Sequence, residues 1–118
     1  MKVKNYKELN VWMKGMIIVD KVYALTKKFP SEELYGLVTQ LRRSSVSVPS
    51  NIAEGFARNS TKEYIQFLYV ALGSCAELET QLMISQRQNY IKEEELKNLS
   101  EDVDHENRML MNLIKSLK

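Results

Sequence analysis

One cysteine, one histidine, two prolines and four glycines are all that this 118-residue sequence holds of the residues that build metal cages, disulfides and tight turns. Cys75 alone cannot close an internal disulfide, and His105 alone cannot complete a His/Cys ligand set. A reducing cytoplasm is therefore the expected compartment. Long apolar runs are also missing. None approaches the about 18 residues that a membrane span needs, and Lys-Val-Lys-Asn-Tyr-Lys after Met1 lacks the apolar stretch of a secretory leader. Neither secretion nor a membrane is expected. There is no phosphate-cradling glycine loop, no Gly-x-Ser-x-Gly elbow and no Walker sequence.

What remains is 44% hydrophobic and 27% charged, rich in helix formers. A chain of this length fits one domain, residues 1–118, and buries roughly two thirds of the surface that its unfolded form exposes. The net charge of +2 is unevenly spread. Residues 1–30 carry seven lysines against Glu8 and Asp20, while residues 91–118 carry five basic and seven acidic groups. Such an asymmetry can steer an anionic partner toward the amino-terminal end.

Apolar spacing predicts four helices and no strand. Helix one runs from Leu9 to Phe29, where Pro30 disfavours the helical conformation of the residue before it. Its apolar side chains fall in two lobes: Leu9, Trp12, Met16, Val19 and Tyr23 in one, and Val11, Ile18, Val22, Leu25 and Phe29 in the other. The second lobe meets either a neighbour within the same bundle or another subunit. Helix two opens after Pro30 at Ser31-Glu32-Glu33 and carries Leu34, Val38, Leu41, Ser45, Val48 and Ile52, with a kink or break expected near Pro49. Ser60-x-x-Glu63 is a capping box that starts helix three at Thr61, whose stripe is Tyr64, Leu68, Ala71, Cys75, Leu78 and Leu82. Helix four carries Leu96, Leu99, Val103, Leu110, Leu113 and Leu117, with Glu106 as an interruption. The expected fold is all-α, an antiparallel up-down-up-down four-helix bundle.

Catalytic chemistry is not expected. A ferritin-like di-metal site needs two Glu-x-x-His pairs, whereas only Asp102-x-x-His105 resembles half of one. Cys75 lies on the core stripe with no local base. No metal and no cofactor are expected. Two surfaces attract attention instead. Gln40, Ser44, Ser47 and Asn51 form a second, polar rhythm on helix two, suited to a neighbouring helix, to ribose and phosphate, or to backbone groups freed by Pro49. Arg42, Arg43 and Arg58 are candidates for phosphate contacts, with Glu54, Glu63, Glu77 and Glu79 as alternative partners within or between subunits.

Leu9-x-Val11-Trp12, Tyr35-Gly36-Leu37, Gln40-Leu41-Arg42-Arg43, the run Ser47-Val48-Pro49-Ser50-Asn51-Ile52-Ala53-Glu54-Gly55, Arg58 and Ser60 together carry a resemblance. It continues through Glu63-x-x-x-Phe67-Leu68, Ala71-x-Gly73-Ser74, Glu77-Leu78-Glu79 and Gln81-Leu82, covering about residues 9–90. The chain strongly resembles the bacterial four-helix bundle proteins encoded in intervening sequences of 23S ribosomal RNA genes. That resemblance implies a homopentameric ring and a relationship to the accessory variability determinant of diversity-generating retroelements, a partner of reverse transcriptase to which nucleic-acid binding is ascribed. It implies no catalytic residue.

Two departures stand out. Ser44-Ser45 replaces common alanines, and Ile91-Lys92 replaces a hydroxyl cap, which predicts a frayed start to helix four. The expected function is a cytoplasmic, non-catalytic homo-oligomer that binds structured RNA or an RNA–protein complex through Arg42, Arg43, Arg58 and amino-terminal lysines. The alternative is a structural assembly protein with arginine–glutamate pairs between subunits. Val11, Ile18, Val22 and Leu25, or Gln40, Ser44, Ser47 and Asn51, are the expected interface.

Overall fold

Each long helix starts where a side chain or turn satisfies its first amides. The computed structural model describes residues 3–118. A single 3-10 turn, Tyr6–Glu8, leads into α1 (Asn10–Thr26), followed by α2 (Thr39–Phe56), α3 (Thr61–Arg87) and α4 (Glu93–Leu117). No strand occurs among the described residues. The Ser60 hydroxyl accepts the Glu63 amide at 3.0 Å, so α3 begins at Thr61 as the sequence predicts. α4 is capped from the opposite direction. Glu95 accepts the Lys92 backbone amide at 2.9 Å and is also paired with Lys28; the Lys28 ammonium first, then that amide, hold its carboxyl below the ordinary range. The frayed start expected from Ile91-Lys92 is therefore offset by the carboxylate three residues on.

α1 packs on α2 and α4, and α3 packs on the same two helices, so every helix has two neighbours round a single bundle. Residue numbers rise along α1 as they fall along α4: Lys14 meets Asp102, Lys21 meets Asn98 and Lys28 meets Glu95. Inside lie Ile18, Val22, Leu41, Val48, Ile52, Leu68, Leu78, Leu82, Leu110 and Ile114, all essentially without solvent contact. Each such side chain contributes about 1.5–3 kcal/mol of hydrophobic stabilisation.

The irregular backbone is not where Pro49 suggested. α2 runs without a break from Thr39 to Phe56 with Pro49 inside it, and the disturbance falls earlier. Ser31–Glu33 forms a 3-10 turn and Leu34–Val38 a π-helical turn, with a non-helical backbone at Gly36. Glu33 stabilises this junction. One of its oxygens accepts the Leu37 amide at 3.2 Å, and the other accepts the Tyr90 hydroxyl at 3.0 Å, tying the turn before α2 to the turn before α4. α1 also stops short of Phe29, at Thr26, whose hydroxyl donates to the Val22 carbonyl at 2.8 Å.

Pro49 is tolerated because its ring meets α1 at Gly15. A Cβ at Gly15 would stand 3.4 Å from two Pro49 carbons and 3.2 Å from Glu106 Oε2. Glu106, expected only to weaken α4, is fully buried, and neither oxygen has a hydrogen-bond partner. Burial pushes its carboxyl up to about 8, against the pull of Lys14.

Between the unfolded value of 4.5 and about 8, the folded chain holds a proton on Glu106 that the unfolded chain has lost. This contribution to stability is fully present below the lower value and is lost as pH rises through the upper one. Urea unfolding should therefore give a stability that falls between about pH 5 and pH 8. Glu106→Gln should flatten that slope. A second expectation separates two glycines. Gly55→Ala places Cβ 2.7 Å from Phe67 Cβ, an overlap that no rotamer relieves, and should cost about 1–3 kcal/mol, whereas Gly73→Ala, with open space around it, should gain up to about 1 kcal/mol.

Candidate functional site

The polar line of α2 is occupied within the chain. Ser44 is buried, with its hydroxyl 2.8 Å from Gln81 Oε1, and the Ser47 and Ser74 hydroxyls are 2.8 Å apart. Asn51 donates to the Ser47 carbonyl at 2.8 Å and to its hydroxyl at 2.9 Å. The Ser44–Gln81 and Ser47–Ser74 bonds join α2 to α3, the next helix of the same bundle, whereas the Asn51 bonds stay within α2. Only Gln40 of the four stands exposed. Ser44, Ser47 and Asn51 thus have their polar groups engaged inside the subunit, contrary to the expectation that they face another one.

The lobes of α1 are likewise exchanged. Val11, Ile18, Val22 and Leu25 belong to the buried core and offer no surface to another subunit, because that side of α1 faces α2 and α4. The other lobe is divided: Leu9 and Trp12 pack half-buried against the core and Val19 is half-buried, while Met16 and Tyr23 reach the surface. Met16 and Tyr23 are about two-fifths exposed (40% and 38%), as are Met13 and Ile17 elsewhere on α1 and Val46 on α2. Trp12, Met16, Val19, Val46, Pro49 and Ala53 line a shallow groove between α1 and α2. On α3, Tyr69 and Val70 are exposed near its start, and Met83 and Ile84 are exposed about 20 Å further along the helix.

The arginines do not form one cluster. Arg42 donates Nε to the Thr26 hydroxyl at 3.0 Å and lies 4.5 Å from the Tyr23 ring centroid. Arg58 lies 4.7 Å from the Phe67 ring centroid, just beyond the far end of α2. Sixteen residues of helical rise separate the two by about 24 Å. Arg43 is exposed. Among the described residues no carboxylate lies within ion-pair distance of any of the three. Aromatic stacking holds two of the guanidinium groups in place while leaving their charge uncompensated.

Several amino-terminal lysines, by contrast, are engaged. Lys14 and Lys21 both bind Asp102, at 2.8 and 2.6 Å, and Lys28 binds Glu95. Burial works against the Asp102 charge, yet the two lysines outweigh it and keep that carboxyl below its usual value. Asp102 therefore faces lysines, while His105 is exposed. Burial, followed by the nearby Glu106 and Glu79, pushes the Cys75 thiol up to about 12, far from a nucleophile's range.

Two features escaped the sequence reading. Tyr35, on the π-helical turn, is 92% exposed, the most prominent aromatic on the surface, and the signal for it was Gly36 inside an apolar helical pattern. Glu106 sits where the helical period places an inward residue between Val103 and Leu110.

A family model described as 23S rRNA-intervening sequence protein matches residues 7–112. The chain belongs to that family. The fold is also similar to the crystal structure of a protein of unknown function from the S23 ribosomal protein family of Bacteroides thetaiotaomicron VPI-5482. That similarity has a TM-score of 0.83 and 27% sequence identity, and it covers 89% of this chain and 95% of the other. No curated protein matches the chain.

The α2–α3 seam generates a direct expectation for this family member. Ser44→Ala leaves the buried Gln81 Oε1 without its donor and should cost about 1–3 kcal/mol in urea unfolding, while the mass measured by light scattering stays unchanged. A lower mass would show that the serine acts between subunits.

Proposed function

We propose that the chain is a non-catalytic subunit of a bacterial, cytoplasmic homo-oligomer that binds structured RNA or an RNA–protein complex. The observation that carries this reading is the unpaired state of Arg42, Arg43 and Arg58 beside lysines that are paired. A guanidinium without a carboxylate is available to grip phosphate oxygens bidentately, and stacking on Tyr23 or Phe67 limits the freedom it must lose on binding. Because the arginines are spread over both ends of α2, the ligand they fit is long, a duplex or folded strand rather than a single nucleotide. The exposed apolar side chains of α1, Met13, Met16, Ile17 and Tyr23, support self-association. A five-membered ring and kinship with the accessory variability determinant rest on the family resemblance. In the monomer, the opposed numbering along the α1–α4 seam supports helices that alternate in direction throughout.

A second reading has its own support. Glu54 and Glu63 are exposed and unpaired within the chain, so arginine–glutamate pairs between subunits would serve assembly alone.

Binding to structured RNA, measured by gel shift or anisotropy over a salt series, separates the two. The RNA reading expects affinity that falls steeply with salt, with a shallower slope and weaker binding after joint replacement of Arg42, Arg43 and Arg58 by Gln. Oligomers that dissociate on the same replacement, without any change in RNA affinity, would favour the assembly reading. No binding at low salt would refute the proposed site.

A further inference from the structure

Asp102 is held by two lysines, while Glu106, one turn later on the same side of α4, is held by none. The imbalance is unusual because Glu106 is the more deeply buried of the two. Its side chain has no solvent contact, so an ionised carboxylate there would lack both water and a hydrogen-bond donor. The neutral acid is much cheaper to bury.

The groups around Glu106 come from all four helices. α1 presents Lys14 and the bare backbone of Gly15, α2 presents the Pro49 ring, and α3 presents the Cys75 thiol, with Glu79 also acting on that thiol. On α4 itself, Asp102 precedes Glu106 by four residues, a spacing that puts the two side chains about 5–6 Å apart. Lys14 is the only cation among these groups. It is bound to Asp102 at 2.8 Å, and its side chain keeps some exposure. Lys21 lies on the other Asp102 oxygen at 2.6 Å, so Asp102 keeps a counter-ion if Lys14 departs.

We propose that Lys14 is a transferable counter-ion between two carboxylates of α4. It pairs with Asp102 while Glu106 keeps its proton, and it moves to Glu106 once that proton has left for solvent. Lys21 stays on Asp102 throughout, so no carboxylate is left bare in either arrangement. α1 and α4 thus have two pairing registers, about one helical turn apart on α4, exchanged by a single proton without unfolding. Gly15 makes the exchange feasible, because a side chain in its place would stand between Lys14's helix and Glu106.

Nuclear magnetic resonance on the labelled full chain tests this over about pH 5 to pH 10. The Lys14 side-chain nitrogen and the Glu106 carboxyl carbon are expected to change together with one midpoint near 8, while Asp102 stays ionised and the amide spectrum stays dispersed. Glu106→Gln should abolish the Lys14 transition. Asp102→Asn, which frees Lys14 in advance, should lower the Glu106 midpoint by about one unit or more. Lys14→Met should raise it. A Lys14 signal that ignores the Glu106 titration, a Glu106 midpoint unmoved by Asp102→Asn, or loss of spectral dispersion on ionisation would each overturn the proposal. The Asp102 variant carries the decision should Lys14→Met not fold.

Discussion

The crossing of α1 over α2 and α4 at Gly15 is the contact on which the remaining geometry depends. With no side chain there, the α1 backbone settles against Pro49 on one helix and Glu106 on the other. That approach turns Ile18 and Val22 into the core and brings Lys14 and Lys21 onto Asp102. It also fixes what is left outside: Met13, Met16, Ile17 and Tyr23 face away from the bundle because the inward arc of α1 is already filled. The same contact explains a proline in the middle of an uninterrupted helix. Pro49 costs α2 one amide donor, but its ring fills the space opposite a glycine, and the packing gained there offsets part of the loss.

The α2–α3 seam is built on a different principle. Where α1 meets α2 by close backbone approach, α2 and α3 share a row of short polar side chains, Ser44 with Gln81 and Ser47 with Ser74. Buried hydroxyls and amides are favourable only when paired, so such a row allows few alternative alignments of the two helices. At the end of the seam Gly55 lies directly against Phe67 and Tyr64, bringing the last turn of α2 onto the first turns of α3. Polar specificity is thus placed on one side of α2 and steric specificity on the other.

Local signals were legible in the sequence, and the choice of partner was not. Ser60-x-x-Glu63 gave the start of α3 to the residue because the cap, the Ser60 hydroxyl accepting the Glu63 amide, is satisfied within four residues. The apolar rhythm gave four helices for the same reason. The polar rhythm on α2 was compatible with a neighbouring helix, with ribose and phosphate or with local backbone groups, and nothing in Ser44 or Ser47 chooses among them or says whether such a helix belongs to the same chain. The two lobes of α1 posed the same ambiguity, and the inward one proved to be that of Val11, Ile18, Val22 and Leu25. Pro49 drew attention as the site of distortion, whereas Gly36, a quieter breaker, carries it. Glu106 looked like a gap in a leucine stripe. The three-four step from Val103 through Glu106 to Leu110 placed it inward, but its carboxylate argued for solvent, and the three other helices that enclose it are not visible in α4 alone.

The chain belongs to the 23S rRNA-intervening sequence protein family. The proposed function makes this bundle a subunit that meets another copy through the exposed side chains of α1 and α2, Met16 and Val46 among them. Light scattering on a gel-filtration column at micromolar concentration tests it most directly. A mass several times the 13.7 kDa of the chain is predicted, reduced toward that value when Met16 and Val46 are replaced by Asp. A single species at 13.7 kDa for the unaltered protein would contradict the account.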